Sequence, residues 1–93
     1  MRFRTSYGIV SLTEERKGHI LAFHPDVASC FSHFSEALAQ PDFTTVSAHD
    51  AAVIIFYRFL ARRKKYLAIV VKVTKQSFIL TAYIAKKPKS GTL

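Results

Sequence analysis

The chain has 93 residues, 49% hydrophobic and 13% aromatic, which suffices for one compact core and excludes a two-domain or disordered protein. Its formal charge of +8 is lopsided: the first fifty residues hold all six carboxylates beside four cations, whereas residues 51–93 hold ten Lys or Arg and no acid. That asymmetry points to a polyanionic partner.

The N-terminal stretch MRFRTSYGIV has no apolar segment of the kind a secretory signal needs, so a cytoplasmic location is expected. Residues 7–10, Tyr-Gly-Ile-Val, read as a short strand. A helix should follow. Ser11 or Thr13 can cap it, and Glu14 and Glu15 sit where the helix dipole favours anions. Leu12, Ile20 and Phe23 lie near one face, with Leu21 beside it. His24 precedes Pro25, which ends the helix.

Pro25 suits the first turn of a second helix, running to about Ala39. Val27, Cys30, Phe31, Phe34 and Leu38 follow the spacing of a buried helical stripe. Cys30 is the only cysteine, so no internal disulfide is possible, and its place on that stripe makes it core filler. Gln40-Pro41-Asp42 breaks the helix.

The period then becomes that of strands. Thr44–Ser47 is an edge strand, and Val53–Leu60 a strong one. The longest wholly apolar run, Ala51 to Tyr57, has seven residues and cannot span a bilayer, so no membrane partner is expected. Arg62-Arg63-Lys64-Lys65 is a basic loop. Tyr66–Thr74 is rich in β-branched residues, Lys75-Gln76 turns the chain, and Ser77–Ala85 closes the sheet. Residues 86–93 read as a basic flexible tail. Helices first and strands after predict a single α+β domain, with two N-terminal helices packed on one face of a four-stranded antiparallel β-meander.

The last hairpin carries the chemistry-bearing residues. A two-residue loop at Lys75-Gln76 sets Lys72 opposite Ile79 and Val70 opposite Thr81. Lys72, Thr81 and Tyr83 then share one face. The other face carries Leu67, Ile69, Val71 and Val73 against Phe78, Leu80, Ala82 and Ile84. It is wholly apolar and should pack on the helices. A lysine in mid-strand is unusual: it either guards an exposed face against edge pairing or meets a ligand. Arg16 and His19 are three apart on the first helix and share a side. His24 fits a structural role at the helix junction, and His33 and His49 read as surface residues. There is no Cys pair and no common His-ligand spacing for zinc, and only three glycines, with no phosphate cradle. No metal or other cofactor is expected.

Taken together, Thr13-x-x-Arg16-x-x-His19-Ile20-x-x-x-His24-Pro25-Asp26, Pro41-Asp42, Phe56-Tyr57-Arg58, Tyr66-Leu67-x-x-Val70-Val71-Lys72 and Phe78-x-x-Thr81-Ala82-Tyr83 form a pattern over about residues 8 to 90. It resembles a family of small bacterial and phage-associated proteins in the barnase–EndoU–colicin–RelE-like fold group. The resemblance implies a RelE/barnase-like architecture and metal-independent RNA cleavage. It implies catalytic roles for a helical His, a strand Lys or Arg and a hydroxyl of the last strand, which here are His19, Lys72 and Thr81. Tyr83, Arg58 and Arg16 are second-tier candidates. The chain departs from the group in its terse Arg62–Lys65 loop and in having no evident carboxylate base on the sheet.

RNA supplies its own nucleophile, the 2′-OH, so such cleavage needs no metal. In this scheme His19 moves the proton, Lys72 with Arg58 or Arg16 neutralises the phosphate, and Thr81 donates a hydrogen bond to it. Tyr83 or Tyr57 stacks a base. Arg62, Arg63, Lys64 and Lys65 grip the backbone. The rival is a non-catalytic module that binds RNA, or an antitoxin-like or acidic protein partner.

Overall fold

A computed structural model describes residues 1–87; the greater part of the basic tail expected over 86–93 lies outside the described residues. In chain order the elements are β1 (Arg2–Thr5), β2 (Gly8–Ser11), α1 (Glu14–Phe23), a 3₁₀ helix (Pro25–His33), α2 (Phe34–Ala39), β3 (Phe43–Val46), β4 (Val53–Leu60), β5 (Lys65–Lys72) and β6 (Phe78–Ala85). No helix among these residues is long and apolar enough to cross a membrane.

The class is α+β, but the sheet is not the four-stranded antiparallel meander that the order of elements predicts. It has six strands in the order β1-β2-β6-β5-β4-β3, and it is mixed. β3 to β6 do form an antiparallel run. An N-terminal hairpin of β1 and β2 extends it, docking through a parallel pairing of Ser11 with Phe78. Ser11 N–H donates to the Ser77 carbonyl at 3.0 Å. β1 has only one apolar residue in Arg-Phe-Arg-Thr, so its strand character comes from its pairing and from Phe3, whose ring lies 6.1 Å from that of Phe34. Gly8 takes φ +98° at the entry to β2, a conformation open to glycine and strained for other residues.

Thr13 caps α1, its hydroxyl accepting from the Arg16 N–H at 3.1 Å, and His24 closes it. Only Ile20 of α1 is buried; Phe23, expected on the apolar face, is 68% exposed. The second helix is not one continuous α-helix. Nine residues from Pro25 wind as 3₁₀, and only Phe34–Ala39 is α-helical. The stripe survives the change: Val27, Cys30, Phe34 and Leu38 are buried, while Phe31 packs against them and carries the Lys17 ammonium 5.3 Å from its ring centre.

These helical residues form one core with Val10, Leu12, Ile54, Phe56, Leu67, Ile69, Val71, Ile79 and Ala82. All buried helical residues belong to this cluster, so the helices cover one face of the sheet. The hairpin register explains who joins them. From Tyr66↔Ala85 to Val70↔Thr81 the pairing is the expected one, but Val71 then faces Ile79 and Lys72 faces Phe78. Leu80 is left over in a β-bulge. The expected pairing of Lys72 with Ile79 is therefore wrong. So is the assignment of Phe78 and Leu80 to the core: the bulge shifts parity, Ile79 is fully buried and the other two are only half-buried.

Candidate functional site on the uncovered sheet face

Strand alternation puts Val53, Ile55, Tyr57 and Phe59 of β4 on the face away from the helices. Tyr66, Ala68, Val70 and Lys72 of β5 join them there, with Thr81 and Tyr83 of β6. Ile55, Tyr57 and Ala68 form a second, smaller cluster, with Phe43, Tyr66, Val70 and Tyr83 packed around it. Lys72, Thr81 and Tyr83 thus share this face. The bulge lies between the Lys72 and Thr81 pairs and leaves both on the same side.

Three features were not legible from spacing. The first is Asp50, in the loop before β4. Its carboxylate accepts the Lys72 ammonium, and one oxygen also takes the Ala52 N–H at 2.9 Å. The Lys72 hydrogen bond, the Ala52 amide and the Lys72 charge hold its carboxyl below the usual range. Lys72 therefore does have a carboxylate beside it, supplied by a loop and not by the sheet. It comes from 22 residues away in sequence, beyond any local pattern.

The second is a chain of rings. Phe43 stacks on Tyr57 with centroids 5.0 Å apart, Tyr66 meets Phe43 edge-on at 5.6 Å, and Phe59 meets Tyr66 at 5.2 Å. Tyr57, expected to stack a base, is fully buried beneath its neighbours and has no face to offer. Phe59, 45% exposed, and half-buried Tyr66 and Phe43 are the accessible rings. Tyr83 is half-buried. Burial and its hydrogen bond to Tyr57 push the Tyr83 phenol up, so it is a neutral donor at physiological pH.

The third concerns histidine. His19 is exposed on α1 with its ring 4.6 Å from Phe23, and no hydrogen bond or ion pair among the described residues joins it to Lys72 or Thr81. His24, expected to be structural, has its ring 6.1 Å from that of Tyr83. Beyond Phe78 the outer edge of β6 has no strand partner among the described residues, and α1 packs against this strand. His24 is therefore a histidine that stands next to Tyr83.

The cations divide into two groups. Arg58 alternates to the helix side, where its guanidinium bonds Glu36 and donates to the Gln40 carbonyl at 2.9 Å. It does not stand beside Lys72, contrary to a shared phosphate role. Arg62, Arg63 and Lys64 form the exposed β4–β5 turn, and Lys65 opens β5 opposite Leu60. Lys64 sits at φ 53°, a left-handed conformation costly for a side-chain-bearing residue. Arg63 bends back to the Asp26 carbonyl at 3.1 Å and to the Ser29 hydroxyl. Arg16 is half-buried on α1.

Comparison of the chain with protein-family models, with curated proteins and with solved structures gave no match. The likeness to the barnase–EndoU–colicin–RelE group rests on the residue pattern alone.

Proposed function

We propose that this chain is a metal-independent, toxin-like endoribonuclease that takes single-stranded RNA on the uncovered sheet face. The observation that carries the reading is the sharing of that face by a lysine, a hydroxyl, a neutral phenol and accessible aromatic rings. Such a surface suits a phosphate beside unstacked bases. The RNA 2′-OH loses its proton to a base and its oxygen attacks the adjacent phosphorus. The P–O5′ bond breaks, the 5′-oxygen takes up a proton, and a 2′,3′-cyclic phosphate remains. Lys72 neutralises the growing phosphate charge, with Asp50 fixing where its ammonium sits. Thr81 and Tyr83 donate hydrogen bonds. His24 replaces His19 as first candidate for moving the proton, a contribution of roughly 10²–10⁴-fold when well positioned.

One observation favours the rival, a non-catalytic RNA-binding module: the partner of Lys72 is a carboxylate of lowered pKa, a poor proton acceptor at neutral pH. The same experiment separates the two. Purified protein is incubated with short labelled RNAs in EDTA, alongside Lys72→Ala, His24→Ala and His19→Ala. The nuclease reading expects cyclic-phosphate ends from the wild type, loss with Lys72→Ala and His24→Ala, and resistance of a substrate carrying 2′-deoxyribose at the cut. Wild type that binds RNA but leaves it intact establishes the binding module instead. Absence of both binding and cleavage removes both readings.

A further inference from the structure

A second feature lies at the other end of β4 and β5 from Lys72, where Phe59 of the uncovered face is part of its wall. Between the 3₁₀ helix, α2 and the β4–β5 turn is a pocket of about 350 Å³, walled by Ser29, His33, Glu36, Arg58, Arg62 and Arg63. We propose that this pocket binds a phosphate monoester, the group shared by a nucleoside monophosphate and the 5′ end of an RNA.

Charge is the first argument. Three guanidiniums share the pocket with one carboxylate, Glu36, which is paired with Arg58; Arg58 also lies 4.0 Å from the Asp42 carboxylate, so Arg62 and Arg63 are the guanidiniums without an acidic partner among the described residues. Arg62 has no hydrogen bond or ion pair among the described residues. A concentration of like charge in a concave site is unfavourable until an anion enters.

Preorganisation is the second. Arg58 is held by the Gln40 carbonyl at 2.9 Å as well as by Glu36, and Arg63 by the Asp26 carbonyl at 3.1 Å and by Ser29. These bonds draw on the two terminal nitrogens of each guanidinium, which has five N–H donors in all. Donors are left over on groups whose rotamers are already fixed, so the ordering that weakens surface Arg sites is largely complete before a ligand arrives. The planar fork matches paired phosphate oxygens bidentately, as it does those of a carboxylate.

Size is the third. About 350 Å³ falls at the lower end of small-ligand sites, which fits one phosphorylated nucleoside and not a folded partner. The Ser29 hydroxyl supplies a neutral donor on the wall.

The inference does not depend on RNA cleavage, and the test keeps them apart because binding is read without turnover. Isothermal calorimetry at low salt is run with adenosine monophosphate, adenosine and inorganic phosphate. Short RNAs of one sequence bearing a 5′-phosphate or a 5′-hydroxyl complete the set. The monophosphate should bind at least tenfold more tightly than adenosine. Arg62→Ala should weaken it by roughly tenfold or more, the usual consequence of losing a charge-assisted hydrogen bond, with an unchanged melting temperature. Arg63→Lys, which keeps the charge and loses the fork, should weaken it as well. If the 5′-phosphorylated RNA gains over its hydroxyl twin and exceeds the monophosphate, the group comes from an RNA end; if only the monophosphate binds, it comes from a free nucleotide. Equal binding of adenosine and its monophosphate, no binding of any phosphate, or full affinity in both arginine variants overturns the proposal.

Discussion

Removing the side chain of Ile79 should cost far more than removing that of its neighbour Leu80. Regular alternation through the β5–β6 hairpin predicts the reverse, with Leu80 in the core and Ile79 outside. The bulge decides it: Ile79 pairs with Val71 and is fully buried among the helix-facing residues, while Leu80 has no partner and is half-buried. Ile79→Ala deletes three carbons, about 2.4 kcal/mol at ~0.8 kcal/mol per buried methylene. The cavity left behind adds to that, giving about 3–4 kcal/mol within the usual range for such truncations. Leu80→Ala deletes the same number of carbons from a site that keeps part of its exposure, so about 1 kcal/mol is expected. A domain of this size has only about 5–14 kcal/mol in total, so the difference is large. Urea unfolding followed by far-ultraviolet circular dichroism resolves it, provided the slope with urea is unchanged between variants. Equal costs, or a greater cost for Leu80→Ala, would refute the bulge and the pairing of Val71 with Ile79.

Gly8→Ala should destabilise by about 1 kcal/mol although a methyl there meets nothing within 4 Å, because φ +98° is itself the obstacle; the urea midpoint reports it. Lys64→Gly should hold or raise the midpoint by up to about 1 kcal/mol, since it relieves the left-handed conformation of the β4–β5 turn. Asp50 has a depressed folded-state pKa, so its contribution to stability is complete above the ordinary carboxyl value of 3.8 and disappears as pH falls through the folded value. Wild type and Asp50→Asn should therefore differ near neutrality and converge in acid; a constant gap from pH 7 down to pH 2 would contradict the ion pair. In an alkaline absorbance titration, one tyrosine should ionise well above the ordinary value of 10, and Tyr83→Phe should abolish that late step.

What was legible in the sequence is what is decided locally. Val53–Leu60 is a strand to the residue because its apolar run and β-branched content permit little else. Thr13 and His24 bound α1 through a cap and a following proline, both features of adjacent residues. The rest was illegible for specific reasons. Arg2–Thr5 carries one apolar side chain, so nothing in it announces a strand until β2 and Phe34 are in place. The Pro25–Ala39 stripe fits a tighter winding as well as an α-helix, because residues three apart stay on one side in both. A bulge leaves no mark in an alternation that reads plausibly either way. In the candidate site, the sharing of a face by Lys72, Thr81 and Tyr83 follows from period two alone. Asp50, the exposure of Phe59 and the approach of His24 to Tyr83 depend on tertiary distances. That Arg58 stands on the helix side, away from Lys72, is a matter of parity: it is one residue out of step with Tyr57 and Phe59.

The parallel pairing of Ser11 with Phe78 joins residues 67 positions apart in a chain otherwise tied by neighbouring hairpins. β3 to β6 can zip in sequence, each closing a short loop, but the N-terminal hairpin has no strand of the main sheet to pair with until the final strand exists. On a ribosome residues 2–11 emerge before β6 and can pair with it only after that strand has followed. The order of synthesis and the order of assembly thus run in opposite directions at this seam. A stopped-flow probe on β1 should report a later event than one on β5.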